Sequence, residues 1–220
     1  MIKKKIIVGV VIIFVFFGFW FLYKTNNAEK TANNNGTTIV GVKKQNDIIP
    51  EGVRTELENG EKVIENGSQG YVVKVAEDWF LNGSNGSEKI EVSKTYKEFS
   101  PETKINGEIF IAVEMIEANS IEEQIKRYKE KYNLSDSDLV GESEKIRING
   151  LNGYKEEYRL PEGSQNIKNY YFSSGNKLYI LISYISSRFP SMDVQKQNEG
   201  LMKNIESDLD KIVRSFAVSQ

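Results

Sequence analysis

The pattern of apolar and polar positions changes character twice along the chain. Residues 6–23 are apolar without interruption, residues 24–60 show no period, and short alternating stretches mixed with helical spacing take over from residue 61. Each pattern predicts a different physical state.

Between Ile6 and Tyr23 there is no charge and no strongly polar side chain. A helix of that length rises roughly 27 Å, close to the hydrocarbon thickness of a bilayer. Lys3, Lys4 and Lys5 precede the run, and Trp20 and Tyr23 sit at its far end, where amphipathic rings favour the interface. The expectation is a single-pass signal-anchor in the cell membrane. Residues 1–5 form a cytoplasmic tip, 6–23 a transmembrane helix, and the remainder is extracytoplasmic. The run exceeds the roughly 7–15 apolar residues of a cleaved leader, and no A-x-A-like site follows it. A pilin-like start is not supported, because no glutamate lies within 6–23.

Over 24–60 the asparagines Asn26, Asn27, Asn33, Asn34 and Asn35 form a polar tract, and Ile49-Pro50-Glu51-Gly52 marks a turn. Such composition buries too little apolar surface to offset chain entropy, so a flexible polar tether is expected. The globular domain then covers 61–218.

Within that domain, Val63-Ile64 and Tyr71-Val72-Val73-Lys74-Val75 predict two strands joined through Asn66-Gly67-Ser68. Further strands are predicted over 89–94 and 108–116. Ser120 followed by Glu123 is a capping box, and Ile121, Ile125, Tyr128 and Tyr132 recur on one helical face. Glu122/Lys126 and Glu123/Arg127 can pair along the other face. Strands over 143–148, 153–160, 169–173 and 178–185 follow, separated by turns at 149–153 and 173–176, which predicts an antiparallel meander. The stretch 178–185 is apolar on both faces and is expected in the middle of a sheet covered on both sides. Leu201, Ile205, Leu209, Ile212 and Phe216 mark a C-terminal amphipathic helix. The fold class is α+β: an antiparallel meander sheet packed with helices, preceded by one transmembrane helix.

Composition narrows the chemistry. The chain has no cysteine and no histidine. That removes disulfides, thiolate and imidazole metal ligands, cysteine nucleophiles and Ser-His dyads. Residues 49–220 carry 22 basic and 29 acidic residues, a net charge of -7. No binding of nucleic acid is expected from that balance.

Several phrases resemble the PsbP-like family, which comprises extrinsic photosystem subunits and bacterial relatives with an α/β/α sandwich. They are Gly70-Tyr71-Val72-Val73-Lys74-Val75 leading to Trp79, Ile148-Asn149-Gly150-Leu151-Asn152-Gly153-Tyr154, the hairpin from Tyr170 to Tyr179, and Ile212-Val213-Arg214-Ser215-Phe216. Together they span roughly 63–218. Ala76 departs from the pattern, since relatives usually have proline there. The resemblance implies an extracytoplasmic accessory or binding role and not an enzymatic one, and no residue pattern calls for a cofactor.

Candidate site residues are few. Trp79, Phe80, Asn82 and Asn85 could form a ligand mouth of aromatic platform and polar loop. The bland alternative is a core tryptophan beside a turn. Glu156 and Glu157 are neighbours on a strand, so they point to opposite faces and cannot converge on one substrate atom. Asp136-Ser137-Asp138 misses the spacing of a calcium loop and reads as a post-helix turn. The functional expectation is a membrane-anchored, non-enzymatic binding or accessory domain that engages another cell-envelope protein. A small-ligand or ion-binding module with a pocket near Trp79 is the alternative.

Overall fold

The computed structural model describes residues 46–100, 103–132, 134–159, 167–187 and 192–219. The anchor expected over 6–23, and the tether before residue 46, lie outside them. No helix among the described residues is long and apolar enough to cross a membrane.

In chain order the elements are β1 (Val53–Glu58), β2 (Glu61–Asn66), β3 (Tyr71–Ala76), β4 (Phe80–Asn82), β5 (Lys89–Ser100) and β6 (Thr103–Met115). Helix α1 (Ile121–Tyr132) and a short 3-10 turn (Asp136–Asp138) come next. Then follow β7 (Glu144–Ile148), β8 (Leu151–Tyr158), β9 (Ile167–Ser174), β10 (Lys177–Ser187), α2 (Met192–Gln197), α3 (Glu199–Ser215) and β11 (Ala217–Val218). The strands form a seven-stranded sheet ordered β4-β5-β6-β10-β9-β8-β7 and a four-stranded sheet ordered β1-β2-β3-β11. Every named strand pair is antiparallel. The protein is α+β and rich in sheet.

Asparagine–glycine steps close two of the hairpins. Asn59 and Gly60 have φ of 53° and 82°, and Asn149 and Gly150 have φ of 48° and 83°. Two consecutive left-handed residues make the type I′ turn whose twist matches paired strands. They seat Glu58 opposite Glu61 and Ile148 opposite Leu151.

The middle position of β10 has a packing cause. Tyr179, Leu181 and Ile185 enter one core with Ile205, Leu209 and Ile212 of α3, while Leu178 and Ile180 meet Ile125 and Tyr128 of α1. Neither face is wet, so polar alternation disappears from its sequence. Phe216, just beyond α3, fills the space between the sheets, with ring centroids 5.4 Å from Phe172 and 5.6 Å from both Tyr71 and Tyr179. On α1 the Ser120 hydroxyl caps the Glu123 N–H at 3.2 Å, and Glu123 reaches back to the Asn119 N–H at 3.1 Å. Arg127 pairs with Glu123 at 2.6 Å, whereas Glu122 accepts from the Tyr154 hydroxyl.

The tether expected over 24–60 ends earlier than its composition suggests. The chain is built into the fold from Asn46, and β1 occupies much of what reads as linker. Arg54, Glu56 and Glu58 face solvent and disguise the strand, while Val53 on the other side is buried.

Candidate functional site

Trp79 is 2% exposed and packs against Tyr96, with ring centroids 6.2 Å apart and planes at 80°. Gly107 makes room for it, since a Cβ there would lie 3.2 Å from the far edge of the indole. That ring therefore presents no face on which a ligand could stack. Phe80 and Asn82 are half-buried on the side of β4 opposite Leu81, and Asn85 is exposed in the following loop. The fold does not bring Trp79 and Phe80 to one mouth.

A largely but not fully buried ion pair sits at the Trp79 backbone instead. Lys62 Nζ donates to both carboxylate oxygens of Asp47, at 2.9 and 2.7 Å, and to the Trp79 carbonyl at 2.7 Å. Asp47 Oδ1 also accepts the Leu81 N–H at 2.9 Å. The carboxylate thus joins β2 of the small sheet to β4 of the large one. Next to it, Ile48 bridges Asn82, donating to the Leu81 carbonyl at 2.8 Å and accepting from the Gly83 N–H at 2.7 Å. Nothing in the local sequence announces this clamp, because the partners are fifteen residues apart on unrelated patterns.

Two buried acids lie on the α1 side of the large sheet. Glu108 on β6 is 3% exposed. It accepts from the Tyr184 hydroxyl at 2.5 Å, the Ser186 hydroxyl at 2.5 Å and the Asn106 amide at 3.3 Å. Tyr184 stacks on Phe110, with centroids 6.0 Å apart and planes 5° apart. Burial, reinforced by the Glu108 charge, pushes the Tyr184 phenol well above its ordinary pKa. Glu156 on β8 is also 3% exposed. It takes Lys129 Nζ at 2.7 Å on one oxygen and the Tyr158 hydroxyl at 2.5 Å on the other. Burial, the neighbouring Tyr171 and Glu156 itself all raise the Tyr158 pKa.

These acids are held, not poised. Each spends both oxygens on donors from its own fold, the arrangement that makes a buried carboxylate tolerable. Glu157 is half-buried on the opposite face, as strand alternation requires. The Asp136–Asp138 segment is a 3-10 turn, and no group of acids able to hold a metal ion occurs among the described residues. A shallow open groove runs beside the start of α1, lined by Glu117, Asn119, Arg127 and Asn176. Arg127 is already committed there to the Glu117 carbonyl at 2.5 Å and to Glu123.

No family model and no curated protein matches this chain. Among solved structures it is similar to a crystal structure of a protein from Bacteroides thetaiotaomicron, with a TM-score of 0.39 and 10% identity. The likeness covers 69% of this chain and 46% of that one, so the chain spans about half of that protein's length.

Proposed function

We propose that this chain is a single-pass membrane protein whose extracytoplasmic domain binds another cell-envelope protein and carries out no chemistry of its own. The observation that carries this reading is the saturation of Glu108 and Glu156 by side chains of the same fold. A general acid or base needs a free oxygen facing a substrate proton, and here those oxygens are occupied. Recognition then falls to surfaces and strand edges. The unbroken apolar run over 6–23, with three lysines before it, supports the anchor and its orientation. The PsbP-like resemblance supports an α/β/α sandwich with an accessory role. Helices packing against opposite faces of β10 are compatible with that architecture.

Crosslinking in intact cells followed by mass spectrometry on the full-length protein tests the reading. One reproducible envelope partner is the expected result. A chain that crosslinks to nothing, or one that alkaline carbonate washes off the membrane, overturns it.

A further inference from the structure

The two sheets have four outer strands, and among the described residues two of them are covered or tied back. Segment 46–48 covers β4 through the Ile48 bridge. β11 is only two residues long, and the chain just after it is tied back by the Ser219 N–H to the Gly70 carbonyl at 2.9 Å. β7 packs Ile146 and Ile148 against the core and exposes only charged Glu144, Lys145 and Arg147, with no bare apolar side chain. β1 differs. Its Leu57 lies on the same side of the strand as buried Val53 yet is 62% exposed.

The register gives that edge a specific chemistry. Asn59-Gly60 is a two-residue turn, so Glu58 and Glu61 form a hydrogen-bonded pair, and such pairs alternate along the ladder. Arg54, Glu56 and Glu58 therefore direct their backbone groups to β2, whereas Thr55 and Leu57 direct theirs away. Among the described residues nothing pairs with the outward backbone groups of Thr55 and Leu57, so the unpaired row and the bare leucine belong to the same stretch of β1. The outer face beside it carries Glu56, Glu58, Glu61 and Glu65 against Arg54 and Lys74, with Lys74 Nζ 3.7 Å from Glu58. An extended chain that adds here has alternate side chains on two faces. One set meets Leu57; the other meets glutamates.

We propose that β1 is a docking edge for an extended segment of another protein that alternates apolar with lysine or arginine residues. The segment adds to the small sheet as a fifth strand, covers Leu57 with its apolar side chains and sets its cations over the glutamate face. This rests on the envelope-partner reading and names the chemistry of that partner's contact.

The test uses the full-length protein in detergent and a fluorescent peptide that alternates lysine with valine, compared with one that alternates glutamate with valine. The lysine peptide is expected to bind at least about tenfold more tightly. On binding, the Thr55 and Leu57 amides should slow in hydrogen exchange. Thr55→Pro removes a donor that faces away from β2 and should weaken binding by about tenfold. Leu57→Glu supplies a second variant, with the same expectation, in case the proline perturbs folding. Equal binding of the two peptides overturns the proposal, as does binding that leaves the Thr55 and Leu57 amides unprotected. Peptide failure alongside a reproducible crosslinked partner in cells sinks the docking edge alone, whereas absence of any crosslink sinks the underlying reading.

Discussion

Lys62 grips Asp47 through both carboxylate oxygens and at the same time donates to the Trp79 carbonyl. The side chains are 11% and 21% exposed, so the pair is mostly but not fully dry. Removing one partner strands the other. Lys62→Met or Asp47→Leu should each cost about 2–4 kcal/mol, a little under the loss for a fully buried pair. The double variant Asp47→Leu/Lys62→Met should recover much of that loss, because no uncompensated charge remains. Urea unfolding of all three variants measures it, and additive losses would contradict the clamp.

Asn149 does more than turn the chain. Its side-chain amide donates to the carbonyls of Arg214 and Phe216, both at 2.9 Å, and so ties the β7–β8 turn to the end of α3. Asn149→Asp places a carboxylate against two carbonyls and should destabilise by about 1–3 kcal/mol. Asn149→Gly keeps the left-handed turn and should cost less. Thermal unfolding ranks the two, and the opposite order would refute the tie.

Phenols hydrogen-bonded to carboxylates recur: Tyr96 with Asp208, Tyr132 with Glu114, Tyr154 with Glu122, Tyr158 with Glu156, Tyr170 with Asp210 and Tyr184 with Glu108. All six phenols have raised pKa values, by burial first for five of them and by the Glu122 hydrogen bond first for Tyr154. A raised folded-state value means stability is intact below the unfolded value of 10.0 and is lost as pH climbs above it. The protein should therefore unfold cooperatively in alkali, with phenolate absorbance and loss of circular dichroism rising together from about pH 10. Phenolate appearing well ahead of unfolding would contradict this.

Gly153 is irreplaceable for a steric reason. A Cβ there would fall 2.4 Å from the Tyr171 carbonyl oxygen and 2.7 Å from the Phe172 ring. Backbone cannot move aside without breaking the β8–β9 ladder, so Gly153→Ala should cost about 3 kcal/mol or more. Gly141→Ala meets no neighbour and carries only the penalty of φ +83°. Comparing the yield of folded protein for the two variants tests the contrast; equal effects would exclude it.

The elements legible in the sequence are those fixed by neighbours along the chain. The Asn149-Gly150 turn, the Ser120 cap, the stripe on α3 and the two-sided apolarity of β10 all follow from local rules. Pairing between distant strands does not. Leu181 faces Ile111 across the centre of the large sheet, and alternation in either strand gives no hint of that partner. The division into two sheets is hidden for the same reason. Glu156 lies two residues from both Tyr154 and Tyr158 on one strand face, but a strand pattern does not say which face a helix will cover. Trp79 reads more readily as core than as platform, and the neighbours that bury it, Gly107 and Tyr96, lie well away in sequence.

The position of β10 between β6 and β9 has a consequence for biosynthesis. A nascent chain leaving the ribosome exposes β6 long before its central neighbour has been made. Until β10 arrives, one side of β6 is an apolar ladder lacking its mate, with Ile109 and Ile111 bare. Contacts so distant in sequence form slowly, and unpaired strands invite aggregation. A chaperone that shields the stretch from β6 to β9 until synthesis ends should therefore govern how much of this protein reaches its folded form.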